Sequence, residues 1–419
     1  MPRARVSALK EQPAVQKYGG SSLSTLEKVR EVARKIVDVH DAGRPVVTVV
    51  SAMGNTTSQL VAKAREISSA PSRREMDMLL SSGERVSMAL LTMAIQSLGR
   101  PAISLTGPQS GIVTDEAHAD ATIVDVRPDR IRAELAAGRI VIVAGYQGAT
   151  PSGEITTLGR GGSDTTAVAL AGALGASCCE IYSDVAGVYT ADPRVVEDAL
   201  HLRRVGPLLM AEYARHGARV LHAPCLEHAR SNGVAIRAGS TFGSGRSTLI
   251  GGDSDVEYSS SRARDAAFRI VGVASRPAVL RVCSHDADAD RAVAILEELE
   301  QLNTFREVPS SVERTLDVII DAQDVRDPES LTTELSRRLD GIAEVEGGLS
   351  SVSAVADTRR TDDLPERVGR AFDDARIDVV STYRHPLSIT YLVRPEQRLA
   401  AVRSVHASLV GSESEAFAV

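Results

Sequence analysis

The sequence predicts an α/β protein in which residues 1–250 form one domain on a mainly parallel sheet sandwiched by helices, followed by smaller units of mixed strands and helices. Residues 46–50 and 140–144 are apolar on both faces, which is typical of strands buried in a parallel sheet. Each run ends at small residues that predict a loop. Helical periodicity separates these strands, as expected when parallel strands are joined by helices.

The first predicted strand, at residues 15–18, leads through Gly19 and Gly20 into a helix. Ser24 and Glu27 have the spacing of a capping box, which predicts where that helix starts. The same order of strand, loop and helix is expected further along the domain.

Three more elements complete the first domain. Residues 179–182 predict a strand, residues 164–174 predict an alanine-rich helix, and Ser81–Arg85 introduces a helix over residues 86–95. The Met and Leu stripe of that last helix indicates core rather than a binding groove.

Residues 251–265 are rich in Gly, Ser, Asp and Arg and predict a linker, because such a composition cannot bury enough apolar surface. Alternating strands and amphipathic helices follow it. They predict two βαββαβ units, at residues 266–342 and 343–419.

The composition excludes several functional classes. The 419 residues carry a formal net charge of −7, which argues against binding to nucleic acid or an anionic membrane. The four cysteines show no CxxC spacing, so neither a zinc site nor a disulfide framework is predicted. No apolar run approaches the ~20 residues of a membrane span and no signal peptide is visible, so a cytoplasmic location is expected.

The stretch Thr157–Thr166 (TLGRGGSDTT) is a glycine-rich turn that opens into a helix. Backbone N–H groups at a helix start favour an anion, and Arg160 adds a planar fork suited to a carboxylate. Ser163 and Asp164 are able to coordinate reacting groups, although Ser or Asp at a helix start is most often only a cap.

Three other segments carry similar chemistry, and each has a bland alternative, namely an ordinary structural role. Lys17 before two glycines suits a phosphoryl group, but alone it is usually a solvated turn residue. Residues 183–194 pack two aspartates, a tyrosine and an arginine into one loop, but Asp192-Pro193 is also an ordinary turn initiator. Glu84 beside Arg85 is more often a solvated surface feature.

Five segments in this order resemble the aspartokinase family, within the amino-acid kinase fold. They are KYGGSS at 17–22, VVSAMGNTT at 49–57, EMDMLLSSGERVSMALL at 75–91, TLGRGGSDTTA at 157–167 and SDVAGVYTADPR at 183–194. The resemblance covers roughly residues 14 to 250. It implies that ATP and Mg²⁺ are used to convert L-aspartate to 4-phospho-L-aspartate, a first step toward lysine, threonine, methionine and isoleucine.

The resemblance also implies roles for individual residues. The catalytic group would be Lys17, Asp164 and Arg160. The residues implied to hold aspartate are Ser51, Thr56, Glu84, Arg160, Gly161, Gly162 and Ser163. The residues implied to hold the nucleotide are Lys17, Tyr18, Gly19, Gly20, Ser183, Asp184, Tyr189, Asp192, Pro193, Arg194 and Arg219. No metal ligand is predicted, because Mg²⁺ would bind mostly through ATP oxygens and water.

The chain departs from the family pattern at Arg219, where lysine is usual, and this predicts an altered affinity for ATP. The C-terminal units look like ACT domains, which bind lysine or threonine in many family members. The first lacks the glycine expected after Pro277, so we expect the fold to persist with weakened feedback. Pairing of ACT-like units predicts a homodimer or a larger homo-oligomer.

Two other functions remain open. A kinase of the same fold could phosphorylate glutamate, carbamate or a nucleotide. A non-catalytic amino-acid sensor or regulatory subunit is the second alternative, motivated by the ACT-like tail.

Overall fold

The computed structural model describes residues 12–218, 220–243, 245–251, 257–258, 270–284, 288–298, 304–305, 316–322, 325, 327–356 and 364–410. Among these residues the first fourteen strands are β1 (Ala14–Tyr18), β2 (Val46–Val50), β3 (Ala102–Leu105), β4 (Ile112–Thr114), β5 (Ile123–Val126), β6 (Ile140–Ala144), β7 (Gln147–Ala149), β8 (Ile155–Thr157), β9 (Cys178–Ser183), β10 (Val188–Tyr189), β11 (His201–Val205), β12 (Ala235–Ser240), β13 (Ser247–Ile250) and β14 (Glu257–Tyr258). The helices of the same part of the chain are α1 (Leu26–Asp41), α2 (Thr56–Ile67), α3 (Arg73–Ser97), α4 (Asp129–Ala136), α5 (Gly162–Leu174), α6 (Pro207–Arg215) and α7 (Ala223–Ser231).

The C-terminal part holds six strands and four helices within the described residues. The strands are β15 (Ile270–Ser284), β16 (Thr304–Phe305), β17 (Leu316–Asp321), β18 (Glu344–Ala356), β19 (Val379–His385) and β20 (Ser388–Val393). The helices are α8 (Ala289–Glu298), α9 (Pro328–Arg338), α10 (Leu364–Ala375) and α11 (Arg398–Val410).

The described residues form two compact units. The first contains those up to Val188, Arg203–Pro207 and those from Val220 to 251. The second contains Tyr189–Leu202, residues 208–218 and the described residues from 257 onward. The boundaries predicted at residues 250, 265 and 342 stay predictions.

The main sheet of the first unit is predominantly parallel. Its strands follow the order β11-β13-β12-β9-β1-β2-β6-β3, and the neighbours from β12 to β3 are all parallel. β1, β2 and β6 are buried at every position, which explains why their sequences are apolar on both faces. A smaller sheet, β5-β4-β7-β8, lies within the same unit. The predicted α/β fold class is confirmed.

Helix α1 starts one residue later than the capping box predicted. Thr25, not Ser24, is the N-cap, and its side chain accepts a hydrogen bond from the Lys28 N–H. Ser24 instead donates to the Ser21 carbonyl, because a 3-10 turn at Gly20–Leu23 comes between strand and helix.

The predicted helix over residues 86–95 is part of a much longer one. α3 runs from Arg73 to Ser97, with Ser72 as its N-cap, so the segment Ser81–Arg85 lies inside the helix rather than before it. Ser81 and Ser82 donate to carbonyls three residues earlier, which removes the competition that serine hydroxyls usually offer to helical structure.

By length and composition, α3 is also the one described helix that would be able to cross a membrane. Half of the 18 most apolar consecutive residues of α3 are buried in the structure, and Leu80, Leu91 and Ile95 belong to the core of the first unit. These features fit the central helix of a soluble α/β domain.

The second unit is built on one antiparallel sheet in the order β16-β17-β15-β18-β20-β19. β15 and β18 are long strands that take part in two separate hydrophobic clusters. One cluster packs beneath α8 and α9 and includes Val282, Ile320 and Leu335, and the other packs beneath α10 and α11. This antiparallel architecture fits the predicted ACT-like units.

Pro277 lies inside β15, at a register shift between Arg276 and Val279, and not in a loop before a helix. The residues directly ahead of α8, 285–287, lie outside the described part of the chain. The missing glycine that motivated weakened feedback therefore concerns a strand, and the feedback expectation remains untested.

Ala119 is a strained position, because its φ of 74° is in the left-handed region that favours glycine. We expect Ala119→Gly to stabilise the first unit by about 0.5–1 kcal/mol, since the relief of strain exceeds the added entropy of the unfolded chain. Urea unfolding would measure the change. The control is Ala117→Gly, at an exposed position outside the positive-φ residues, which we expect to be neutral or destabilising. Equal effects of the two substitutions would contradict the assignment of strain.

Candidate active site

Loops from five adjacent strands of the first unit, β12, β9, β1, β2 and β6, meet at the carboxyl edge of its main sheet. Backbone hydrogen bonds tie each loop to the neighbouring strand end just beyond the sheet: Gly19 N to Tyr182 O (3.0 Å), Ser51 N to Tyr18 O (3.2 Å), Gly145 N to Val50 O (3.0 Å) and Thr241 N to Ser183 O (2.8 Å). In an open parallel sheet this edge is where ligands bind.

Lys17 and Asp164 form an ion pair at this edge. Lys17 Nζ lies 2.6 Å from Asp164 Oδ1, and only about a tenth of either side chain is exposed. The distance is that of an ion pair, although the angles are not those of a hydrogen bond. Lys17 is therefore not the solvated turn residue of the bland alternative, and the Asp164 oxygen keeps its hydrogen-bonding capacity.

The helix that follows the glycine-rich turn starts earlier than predicted, at Gly162, with Gly161 as the N-cap residue at φ 76°. No side chain caps it, so Ser163 and Asp164 lie in the first turn and are not spent on capping. A β-carbon at Gly161 would lie 2.5 Å from the His222 side chain, which requires glycine there. The first-turn N–H groups and the Asp164 carboxylate stay together at one helix end.

Ser163 packs tightly over the end of β6. A β-carbon at Gly145 would lie 2.8 Å from Ser163 Oγ, so only glycine lets the helix start approach the strand end this closely. The predicted substrate residues Gly161, Gly162 and Ser163 are thereby placed beside the ion pair.

Glu84 lies on α3 and is 3% exposed, which rules out a solvated surface role. Its Oε1 accepts the Ala52 N–H (3.0 Å), while Oε2 has no hydrogen-bond partner within the described residues. Burial raises the pKa of Glu84 to about 7, against the opposing effect of the backbone hydrogen bonds. An unpaired buried carboxylate oxygen suits a cationic group of a ligand.

Two other predicted substrate residues already use one hydrogen-bonding group within the protein. Thr56 opens α2 and donates its hydroxyl to the Met53 carbonyl (2.7 Å), and Ser51 follows β2 with its backbone N–H bound to β1. Arg160 is exposed and precedes Gly161 in the turn.

The predicted nucleotide residues lie in different parts of the chain. Ser183 and Asp184 follow β9 in the first unit, and Ser183 Oγ accepts the Val185 N–H (3.2 Å). Tyr18 is 2% exposed and stacks on the Tyr182 ring at 5.1 Å, so its side chain belongs to the core and only its backbone faces the loops. Arg219 lies outside the described residues.

The remaining nucleotide residues belong to the second unit. Tyr189 stacks edge-on against His201, and the exposed Asp192 accepts hydrogen bonds from the backbone and guanidinium of Arg194. Pro193 lies between these two partners. This arrangement is that of the turn initiator offered as the bland alternative, and the nucleotide role of these residues remains a prediction.

Sequence reasoning missed Tyr146, which directly follows Gly145. Its φ of 68° is unusual for a residue other than glycine, and such strain clusters at functional sites. Burial raises its pKa; a side-chain hydrogen bond with Thr157 opposes that shift, and nearby carboxylates including Glu84 add to it. Only its place after a glycine at a strand end pointed to it.

Thr241 was also missed. Its hydroxyl is hydrogen-bonded to the Ser22 hydroxyl (2.6 Å) and to the Ser183 carbonyl (3.1 Å), so it links the loops after β1 and β9. A lone threonine after a strand carries no signal of this in the sequence.

In the described ranges, no three His, Cys, Asp or Glu side chains are close enough to hold a metal ion by themselves. Beside the glycine-lined start of α5 lies the Asp164 carboxylate, whose Oδ1 is ion-paired with Lys17 and makes no hydrogen bond among the described residues. Mg²⁺ in phosphoryl transfer is usually bound by one or two carboxylates together with phosphate oxygens. The residues present therefore fit an ion that arrives with a nucleotide.

The comparisons with known proteins agree with this geometry. The model of the amino acid kinase family matches residues 12–238. The aspartokinase of Mycolicibacterium smegmatis is 53% identical over 239 residues, 57% of this chain and 57% of that protein. The aspartokinase of Geobacillus stearothermophilus is 37% identical over 420 residues, 97% of this chain and 98% of that protein.

Among solved structures, E. coli aspartokinase III in complex with aspartate and ADP superimposes with a TM-score of 0.76, covering 95% of this chain and 99% of that one. At 24% identity this likeness shows the fold alone. The family match over more than half of the chain and the relative aligned along nearly its whole length lead to one conclusion: the chain belongs to the amino acid kinase family and, within it, to the aspartokinases.

Proposed function

We propose that this chain transfers the γ-phosphoryl group of ATP to the side-chain carboxylate of L-aspartate. The observation that carries the proposal is the buried Lys17–Asp164 pair at a glycine-lined helix start, in the same unit as a buried Glu84 oxygen that lacks a partner. Phosphate chemistry is supported by the first feature and an amino-acid substrate by the second. Membership of the aspartokinases supports both.

The chemistry needs little from the protein beyond placement and charge. A carboxylate nucleophile is already ionised near pH 7, so no general base has to activate it. Its oxygen forms a bond to the γ-phosphorus while the bond to the bridging oxygen breaks, and ADP leaves with the electron pair. The charge spreads over the equatorial oxygens of a loose transition state, where lysine and backbone N–H groups stabilise it.

Lys17 would neutralise charge on the transferred group, and Gly19 and Gly20 would let the backbone approach it closely. Asp164 holds the Lys17 ammonium and, through its other hydrogen-bonding capacity, suits the hydration shell of the metal. Mg²⁺, when bound with ATP, supplies neutralisation of the β- and γ-phosphate charge.

The aspartate half of the site would use groups of opposite charge. Glu84 Oε2 would accept from the substrate ammonium, and the Arg160 fork would bind the α-carboxylate. Ser51, Thr56 and Ser163 would fix the remaining polar groups. The side-chain carboxylate would then lie toward Lys17, which is the atom placement that transfer requires.

The wider setting is also a proposal. We infer a cytoplasmic enzyme acting early in the synthesis of aspartate-derived amino acids, assembled as a homo-oligomer through its ACT-like units. A kinase of the same fold that acts on carbamate or a nucleotide would have no α-ammonium group for Glu84 to bind. A glutamate kinase would have one, so the choice between aspartate and glutamate rests on membership of the aspartokinases and on the assay below. A non-catalytic sensor would not need Lys17 paired with Asp164.

Activity provides the first test. We expect ADP release that depends on aspartate and is at least tenfold slower with glutamate, and we expect Lys17→Met to lower kcat by about 10²–10³-fold because it removes the charge beside the transferred group. A coupled ADP assay measures both. Lys63→Met, at an exposed lysine on α2, is the matched control and should keep wild-type activity. Activity of Lys17→Met within threefold of wild type would refute its role.

The pH dependence of aspartate binding is a second test. Because the pKa of Glu84 is about 7 in the folded chain, its ionised form is lost below that pH, and the KM for aspartate should fall as pH rises from 6 to 8. Glu84→Gln should raise the KM for aspartate by about tenfold to hundredfold at pH 8 and flatten this profile. The KM for ATP is the internal control. A wild-type KM for aspartate that does not change with pH would contradict the assignment.

The raised pKa of Glu84 also predicts how the stability of the fold depends on pH. Its folded pKa of about 7 exceeds the ordinary 4.5, so its ionisation destabilises the fold progressively between pH 4.5 and 7. Glu84→Gln should therefore be close to neutral at pH 4.5 and stabilising by up to about 3 kcal/mol at pH 8. Unfolding curves at the two pH values measure the change in the free energy of unfolding. If Glu84→Gln destabilised the protein more at pH 8 than at pH 4.5, the raised pKa of Glu84 would be contradicted.

Feedback is the last test of the proposed function. We expect lysine plus threonine at roughly tenfold excess over aspartate to leave the rate nearly unchanged, on the assumption that an amino-acid carboxylate needs closely approaching backbone N–H groups. The rate with equal concentrations of alanine and valine is the control. Strong inhibition by lysine plus threonine alone would show that an effector site has been retained.

A further inference from the structure

Asp77 is a fully buried carboxylate in the middle of an apolar stretch of α3. It has no exposed surface, and it lies on the same helix as Glu84, seven residues before it. Seven residues are two helical turns, so the two carboxylates lie on one face of α3. One carboxylate is the group proposed to bind the substrate ammonium, and the other has no role in the function described above.

The hydrogen bonds of Asp77 all go to segments that are distant in sequence. Oδ1 accepts a short hydrogen bond from the Thr157 hydroxyl, Oδ2 accepts from His118 Nδ1 (2.7 Å), and both oxygens accept from the Ala119 N–H (3.1 and 3.2 Å). The carboxylate therefore joins α3 to the end of β8 and to the loop at residues 115–120.

Burying a carboxylate costs desolvation free energy, so it is an inefficient means of stabilising a fold. A buried charge loses its hydration, and well-packed apolar residues of similar volume are often equally stabilising or more so. A carboxylate with three hydrogen-bonded partners does, however, fix the positions of those partners. The geometry it fixes is that of Thr157, which is followed at once by Leu158, Gly159 and the predicted substrate residue Arg160.

Two more contacts extend this network toward the site. The carbonyl of Tyr146, the strained residue beside Gly145, accepts the N–H of Leu158, the residue that follows Thr157 (2.9 Å). Asp120 lies directly against Gly159, where a β-carbon would be 2.2 Å from Asp120 Oδ1. The loop that Asp77 holds through its bond to Ala119 thus forms a support for the glycine-rich turn.

We propose that Asp77 is a positioning residue for the aspartate-binding half of the site: it fixes the distance between Glu84 on α3 and Arg160 in the turn through its hydrogen bond to Thr157. The inference rests on the proposed function. Asp77 does not contact the substrate in this proposal, and it affects the binding of aspartate but not the binding of ATP.

Thr157→Val tests this without disturbing the charge. The substitution keeps shape and volume but removes the donor to Asp77, leaving that carboxylate its bonds to His118 and Ala119. We expect the KM for aspartate to rise about tenfold to hundredfold while the KM for ATP changes less than twofold, because loss of placement weakens binding of the oriented ligand. Thr157→Ser should restore the KM for aspartate to within about threefold of wild type.

The matched control is Thr156→Val, one residue earlier on the same strand. Thr156 is also fully buried, and its hydroxyl is bonded to the Thr114 hydroxyl (2.6 Å) away from Asp77. We expect this variant to lower the unfolding temperature while leaving both KM values within twofold of wild type.

Asp77→Asn is the second variant, expected to act as Thr157→Val does. If it does not fold, Thr157→Val and its serine rescue decide the question. Equal rises in the KM for aspartate in Thr157→Val and Thr156→Val, or no rise in Thr157→Val, would overturn the positioning role while wild-type activity still supports the proposed function. A wild-type chain that does not phosphorylate aspartate would overturn both.

Discussion

The ion pair between Lys17 and Asp164 is the contact on which the rest of the site depends. It joins the first strand of the parallel sheet to the first turn of α5, and it keeps two opposite charges nearly out of water. Neither charge would be tolerated there without the other. Because the strand ends on either side are tied together by backbone hydrogen bonds, the pair lies in a rigid frame. A preorganised charge of this kind does not have to rearrange during a reaction, which is what phosphoryl transfer requires of its surroundings.

The parts of this arrangement that follow from local rules were predictable from the sequence. β2 and β6 are apolar on both faces because they are buried on both faces, and glycines follow the strands where loops approach one another. The glycine-rich turn before α5 was also visible, since left-handed φ values and close approach demand glycine at Gly161 and Gly145. The order of such segments along the chain identified the family.

What was missed depends on contacts between distant segments. The early part of α3 is an exception with a local cause: the helix was predicted to begin only after Ser81–Arg85, whereas the Ser81 and Ser82 hydroxyls bond back to the helix and let it continue through that segment. Asp77 stands in a Met- and Leu-rich stretch that predicts core, and nothing local shows that Thr157 will supply a donor to it. Tyr18 is a residue for which the resemblance implied a nucleotide contact without showing which atoms would make it. Its ring is buried against Tyr182, so the contact that stays predicted is one of its backbone.

In the second unit, β15 and β18 pair along most of their length and contribute side chains to both hydrophobic clusters. Neither cluster can unfold unless about half of β15 and half of β18 also lose their packing. The two ACT-like halves therefore share the paired strands β15 and β18, and unfolding one half would expose the strand edges of the other. Within this unit, cooperativity is built into the chain path itself and does not depend on the chemistry of any small molecule.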